Sequence, residues 1–171
     1  EEDEEDRFWK LFLSDRFLQL DCPAPGAADF LMDIEEAGIE LIYLTGRQEE
    51  EGDSMRVGTE SWLKQNGFPS PDHPGVRLFM KPRRDMEDKE FKLEKLRDEF
   101  SNQSGAEEVV GVGDHPNDAL VYDQMGIKPI LLDWLGLFPR GALRDSVPEV
   151  TIAENWQVLK REFSGLMNRS T

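Results

Sequence analysis

Three short segments place reactive side chains directly after apolar runs. Leu41-Ile42-Tyr43-Leu44 leads into Thr45-Gly46-Arg47, and Val76-Arg77-Leu78-Phe79-Met80 leads into Lys81-Pro82. Val109-Val110-Gly111-Val112-Gly113 leads into Asp114-His115-Pro116-Asn117-Asp118. A hydroxyl, an ammonium and two carboxylates thus stand where apolar strands would end. In an open parallel sheet, groups at the carboxyl ends of strands converge on one crevice. There, a hydroxyl and a cation suit a phosphate, and paired carboxylates suit a hard metal ion such as Mg²⁺.

Taken singly, each segment has a plainer reading. Thr45 alone reads as a turn cap, with Gly46 as a permissive backbone residue and Arg47 as a surface residue. Lys81 reads equally as an exposed lysine or as a cation able to neutralise a phosphate together with a carboxylate nucleophile. Asp114 or Asn117 could cap the helix that Pro116 opens, where the helix dipole favours negative charge. Asp118, four residues after Asp114, lies in the first turn of that helix, so both carboxylates can face one point. It is the order of the three segments that favours the joint reading. His115 reads as a tolerant loop position and His73 as solvent-facing, and neither is assigned to catalysis.

The elements that would position these groups follow from periodicity. Helical spacing predicts helices over residues 7–20, 27–37, 54–66, 87–100, 116–125 and 155–167, with Gly38, Gly67 and Gly126 as stops. Strand formers predict strands over residues 39–44, 76–80, 108–112, 127–132 and 150–152. The strand over residues 39–44 is expected to be buried. Residues 134–139 (Trp-Leu-Gly-Leu-Phe-Pro) read as an apolar loop. Strand–helix alternation predicts an α/β fold, a Rossmann-like parallel sheet with helices on both faces. The acidic run and amphipathic helix of residues 1–22 are set apart from an α/β core over residues 23–171.

Composition narrows the function. The chain has 171 residues, 38% hydrophobic and 33% charged, with a net charge of −16. That length suffices for one domain with its own core. The acidic surface disfavours nucleic acid and anionic membranes as partners, and no apolar run is long enough to span a bilayer. A soluble protein of the cytoplasm or of an organellar lumen or stroma is expected. The lone Cys22 allows no internal disulfide and reads as a buried or half-buried structural thiol. The chain opens on Glu1 rather than methionine, which raises the expectation of further sequence upstream.

Together the segments resemble the haloacid dehalogenase-like superfamily of phosphohydrolases, over about residues 23–156. Leu41 to Gly46 is similar to the family's second motif, Lys81 to its third and Gly113-Asp114-x-x-x-Asp118 to its fourth. The resemblance implies that Thr45, Gly46, Arg47 and Lys81 bind phosphate, Thr45 and Lys81 taking part in catalysis. It implies that Asp114 ligates Mg²⁺ and that Asp118 binds the metal shell or Lys81. It is greatest to members with little or no cap domain. The family's first motif, a strand ending in Asp-x-Asp that supplies nucleophile and general acid, has no match in residues 1–171.

The resemblance therefore implies a Mg²⁺-dependent phosphohydrolase. In its complete form it would act on a small phosphomonoester through an aspartyl-phosphate. The alternative is a catalytically inactive relative serving as an interaction or structural subunit. In that case residues 134–139, or a strand supplied to a vacant central position of the sheet, would mediate contact with a protein partner.

Overall fold

The computed structural model describes residues 3–4, 15–49, 55–83, 85–101 and 109–167. The expected helical residues 7–14 and the acidic loop residues 50–52 lie outside them. The chain divides into two compact units, Glu1–Asp88 and Lys89–Thr171.

In the first unit a 3-10 helix, Asp15–Leu20, is followed by α1 (Ala27–Glu36), β1 (Leu41–Gln48), α2 (Met55–Gln65) and β2 (Val76–Lys81). Strands β1 and β2 run parallel, from Leu41 opposite Val76 to Thr45 opposite Met80. A parallel pair requires a crossover, and α2 provides it. Along β2, Val76, Leu78 and Met80 are buried while Arg77, Phe79 and Lys81 are half-buried. This alternation follows from the two-residue repeat of a strand. Leu78 and Met80 join Leu18 and Met55 in a core against which Tyr43 and Trp62 pack.

Three local expectations change in this unit. Helical spacing predicts one helix over residues 7–20, but its described part, Asp15–Leu20, is a 3-10 helix in which Leu20 is 74% exposed and Leu18 only 4%. The reason is the three-residue turn of the 3-10 helix, which stacks Asp15 and Leu18 on one side. That side meets α2 at Gly58, where an added Cβ would lie 2.9 Å from the Asp15 Cβ and 3.5 Å from Leu18 Cδ2. The second change concerns β1, which is half-buried from Leu41 to Arg47 rather than buried. It has β2 along one edge and no strand along the other among the described residues. Cys22 is exposed, not a buried thiol.

The second unit contains most of α3 (Asp88–Phe100), then β3 (Val110–Gly113), α4 (Pro116–Gln124), β4 (Lys128–Leu132), α5 (Arg140–Ser146), β5 (Thr151–Ala153) and α6 (Trp156–Met167). Its strands are parallel in the order β3-β4-β5. The central strand β4 is buried from Pro129 to Leu132, the continuous apolar run expected of a parallel strand with neighbours on both edges. Leu131 packs with Ala119, Leu143, Val147 and Val150.

Helix α5 falls in a stretch with no predicted element. Its seven residues, Arg-Gly-Ala-Leu-Arg-Asp-Ser, are too few to show a helical period or to be stable alone. It is held by Leu143, 6% exposed, in the core. The α/β class with parallel strands is as expected, and the described strands form two sheets. No helix among the described residues is long and apolar enough to cross a membrane.

Candidate active site

The Thr45-Gly46-Arg47 segment is part of β1, not a loop beyond it. Pairing with β2 runs regularly to Thr45, then shifts register so that Gln48 lies opposite Lys81. Gly46 and Arg47 form the irregularity, as extra residues in a bulge do. Thr45 Oγ1 accepts a hydrogen bond from the Arg47 N–H at 3.2 Å, so the threonine caps its own turn. Arg47 Nη2 donates to Asp21 Oδ2 at 3.0 Å.

Lys81 ends β2 and is largely withdrawn from water, its side chain 11% exposed. Its Nζ donates to Asp88 Oδ1 at 2.6 Å. The Asp88 carboxylate also lies against the Gly46 backbone, where it would collide with any added Cβ. Gly46 leaves room for this approach, and a Cβ there would require the solvent-facing Asp88 side chain to move. The Lys81 ammonium and the Gly46 backbone thus both meet the Asp88 carboxylate.

In the second unit the glycines of Val110-Gly111-Val112-Gly113 are two apart, so both face the same side of β3. That side receives α4. An added Cβ on Gly111 would strike the Tyr122 ring, and one on Gly113 would strike the Asp118 side chain. The glycines let α4 lie directly on the strand and bring Asp118 to its end. Pro116 opens α4, and His115 is its N-cap, its Nδ1 accepting from the Asn117 N–H at 3.2 Å. The capping role foreseen for Asp114 or Asn117 therefore belongs to His115.

Asp114 is exposed, whereas Asp118 is 6% exposed. Lys92 on α3 donates to Asp118 Oδ1 at 2.5 Å. Tyr122 donates from its hydroxyl to the Val112 carbonyl at 3.3 Å. Burial pushes the Tyr122 phenol pKa up, and the charges of Asp118 and Asp114 push it further. Both carboxylates therefore act on the same ring.

As a metal site the pair fits in kind, since carboxylate oxygens suit Mg²⁺. It does not fit in number. No group of three His, Cys, Asp or Glu side chains among the described residues could hold a metal ion.

Three charged residues here escaped the sequence reading: Asp88, Lys92 and Asp133. Lys92 lies mid-helix in a charged run, with no local signal of its partner 26 residues on. Asp133 follows the apolar strand β4 as Asp114 follows β3, so the same pattern could have found it. Asp133 is 3% exposed. Its Oδ1 accepts from the Leu137 N–H at 2.8 Å, and its Oδ2 has no hydrogen-bond partner among the described residues. It anchors the loop after β4, in which Trp134, Leu135 and Leu137 are exposed. Phe138 of that loop is half-buried on the core and meets His115 edge-on, with ring centroids 6.4 Å apart.

No family model matches the chain, and no solved structure matches it. Two curated proteins do, each named "Putative nucleotidase". A protein of Oceanobacillus iheyensis is 36% identical over 72 residues, 42% of this chain and 36% of its own length. A protein of Bacillus cereus is 31% identical over 67 residues, 39% of this chain and 33% of its own length. The chain spans about a third of the length of the curated relatives it matches.

Proposed function

We propose that this chain is the larger part of a phosphate-ester hydrolase domain of the haloacid dehalogenase-like type. The observation that carries the reading is the withdrawn Lys81 ammonium at the end of a parallel strand, with an anion seated on it beside the Gly46 backbone. Such a cation stabilises phosphoryl oxygens more as their charge redistributes. The names of the two relatives support the same class and make nucleoside monophosphates the first substrates to test.

In this reading Lys81, Thr45 and Gly46 hold the phosphate, and Arg47 contacts substrate once released from Asp21. The direct Mg²⁺ ligand would be Asp114, with Asp118 held beside it by Lys92 and the further ligands coming from outside the described residues. Bound Mg²⁺ would supply Lewis-acid chemistry. The attacking carboxylate comes from a strand outside residues 1–171, on the same chain or a partner. β1 and β3 each have an edge that no described strand covers, and such edges recruit strands.

Calorimetric titration with Mg²⁺ and inorganic phosphate tests the assignment. Lys81→Ala is expected to abolish phosphate binding, and Asp114→Asn to weaken Mg²⁺ binding more than Asp118→Asn does. Phosphate affinity unchanged in Lys81→Ala would overturn it.

A second reading, an inactive interaction subunit, is favoured by the loop after β4. There Trp134, Leu135 and Leu137 are 67%, 57% and 69% exposed, although Asp133 fixes the loop from beneath. Hydrolysis of nucleoside monophosphates by the full-length protein separates the two readings.

A further inference from the structure

The Asp88 carboxylate has two contacts that a bound phosphate would want for itself. One is the Lys81 ammonium, at 2.6 Å from Oδ1. The other is the bare backbone of Gly46, against which Oδ2 lies. The two sides of the pair differ in exposure. Lys81 is 11% exposed and Asp88 58%, so the cation is fixed within the fold and the anion approaches it from solvent. Asp88 is also the first residue of α3, so its side chain can turn outward without loss of a core contact.

We infer that Asp88 is a built-in competitor that occupies the anion position of Lys81 and must leave when a phosphate enters. The inference rests on the proposed phosphate-binding role of Lys81. It goes further by naming the group that sets how strongly phosphate binds there. A carboxylate carries one charge on two oxygens, whereas a phosphomonoester offers up to two charges on three. The dianion can therefore displace the carboxylate, while a singly charged carboxylate ligand gains little over Asp88 itself. In a chain of net charge −16, the arrangement keeps a withdrawn cation neutralised and selects for doubly charged phosphate.

The competitor role also fixes the sign of a substitution. If Asp88 merely held Lys81 in place, its removal would weaken phosphate binding. If it competes, removal strengthens binding. The measurement is calorimetric titration of inorganic phosphate into the wild-type chain and into Asp88→Asn, Asp85→Asn and Lys81→Ala at neutral pH. Asp85 lies three residues away and pairs with Arg83 at 3.4 Å, so its asparagine variant makes the same charge change without touching Lys81. Asp88→Asn is expected to bind phosphate roughly fivefold more tightly than wild type, the upper range of a solvent-facing ion pair. Asp85→Asn is expected to stay within about twofold, and Lys81→Ala to bind none.

Unchanged or weaker binding in Asp88→Asn, with loss in Lys81→Ala, overturns the competitor and leaves the phosphate site standing. Equal gains in Asp88→Asn and Asp85→Asn also overturn it, because the gain would then be overall charge. Undiminished binding in Lys81→Ala removes both readings. Circular dichroism of each variant confirms that the fold is retained.

Discussion

Lys92→Met should be among the most destabilising single changes in the second unit. The Lys92 side chain is 15% exposed and that of Asp118 8%, with their charges 2.5 Å apart. Methionine keeps the length of the aliphatic stem and deletes the charge, so the loss is electrostatic rather than a cavity. It leaves a carboxylate withdrawn from water with its cation gone. Breaking a buried pair from one side costs about 3–5 kcal/mol, mainly the penalty for the stranded charge. That is a large share of the roughly 5–15 kcal/mol that holds an ordinary domain together.

Two controls isolate the cause. Adding Asp118→Asn to Lys92→Met removes the stranded charge and should recover most of the loss. Arg140→Ala removes a cation from a pair with Glu154 whose side chains are 50% and 65% exposed. Such a solvent-exposed pair contributes only about 0–1 kcal/mol. Urea unfolding at fixed pH, followed by circular dichroism, gives all the values on one scale, provided the slopes agree. A loss below about 1 kcal/mol in Lys92→Met would refute the reasoning, since it would place the pair with ordinary surface ion pairs. An equal loss in the double variant would refute it too.

Two other perturbations probe the scaffold. Gly111→Ala puts a methyl group into the Tyr122 ring and should cost about 1–3 kcal/mol by overpacking. Thermal unfolding should show partial recovery when Tyr122 is also made leucine, and a neutral Gly111→Ala would contradict the close packing of α4 on β3. The Arg56 guanidinium hydrogen-bonds Glu49 and holds its carboxyl pKa below the ordinary glutamate value of 4.5. A depressed folded-state pKa stabilises above the unfolded value and is lost as pH falls through the folded one. The stability difference between wild type and Arg56→Gln should therefore be constant near neutrality and shrink below about pH 4; a difference that does not shrink at all on acidification would contradict the pairing.

The sequence carried the element order well because its signals were local. Apolar runs bounded by glycine marked β1 and β4, and Pro116 and Gly126 bracketed α4. What it hid depended on contacts distant in sequence. Asp15–Leu20 becomes a 3-10 helix because Gly58, on another helix, accepts its i, i+3 side. Helix α5 is too short to show a period in sequence and is held through Leu143 in the core. The VGVG strand showed its glycines plainly, but their use appears only when Tyr122 and Asp118 fill the space. Site residues divide the same way. Thr45, Lys81, Asp114 and Asp118 could be singled out as candidates because each follows an apolar run. Lys92 sits among other charges and could not.

Those hidden partners change how the candidate site must work. The resemblance leaves Asp118 to the metal shell or to Lys81, yet in the structure each has a partner of its own: Lys92 for Asp118 and Asp88 for Lys81. The Lys81 ammonium and the Asp118 carboxylate are thus already neutralised inside the chain. An isolated withdrawn ammonium or carboxylate would be costly, so each pair protects the fold when no ligand is bound. The two pairs are not equivalent. Asp88 is solvent-facing and can turn away, which makes Lys81 recoverable for an anion. Lys92 and Asp118 are both withdrawn, so their pair is the costlier to break. Under the proposed function, phosphate binding at Lys81 would replace one anion by another, and metal binding would fall to the exposed Asp114 rather than to Asp118, which Lys92 already holds.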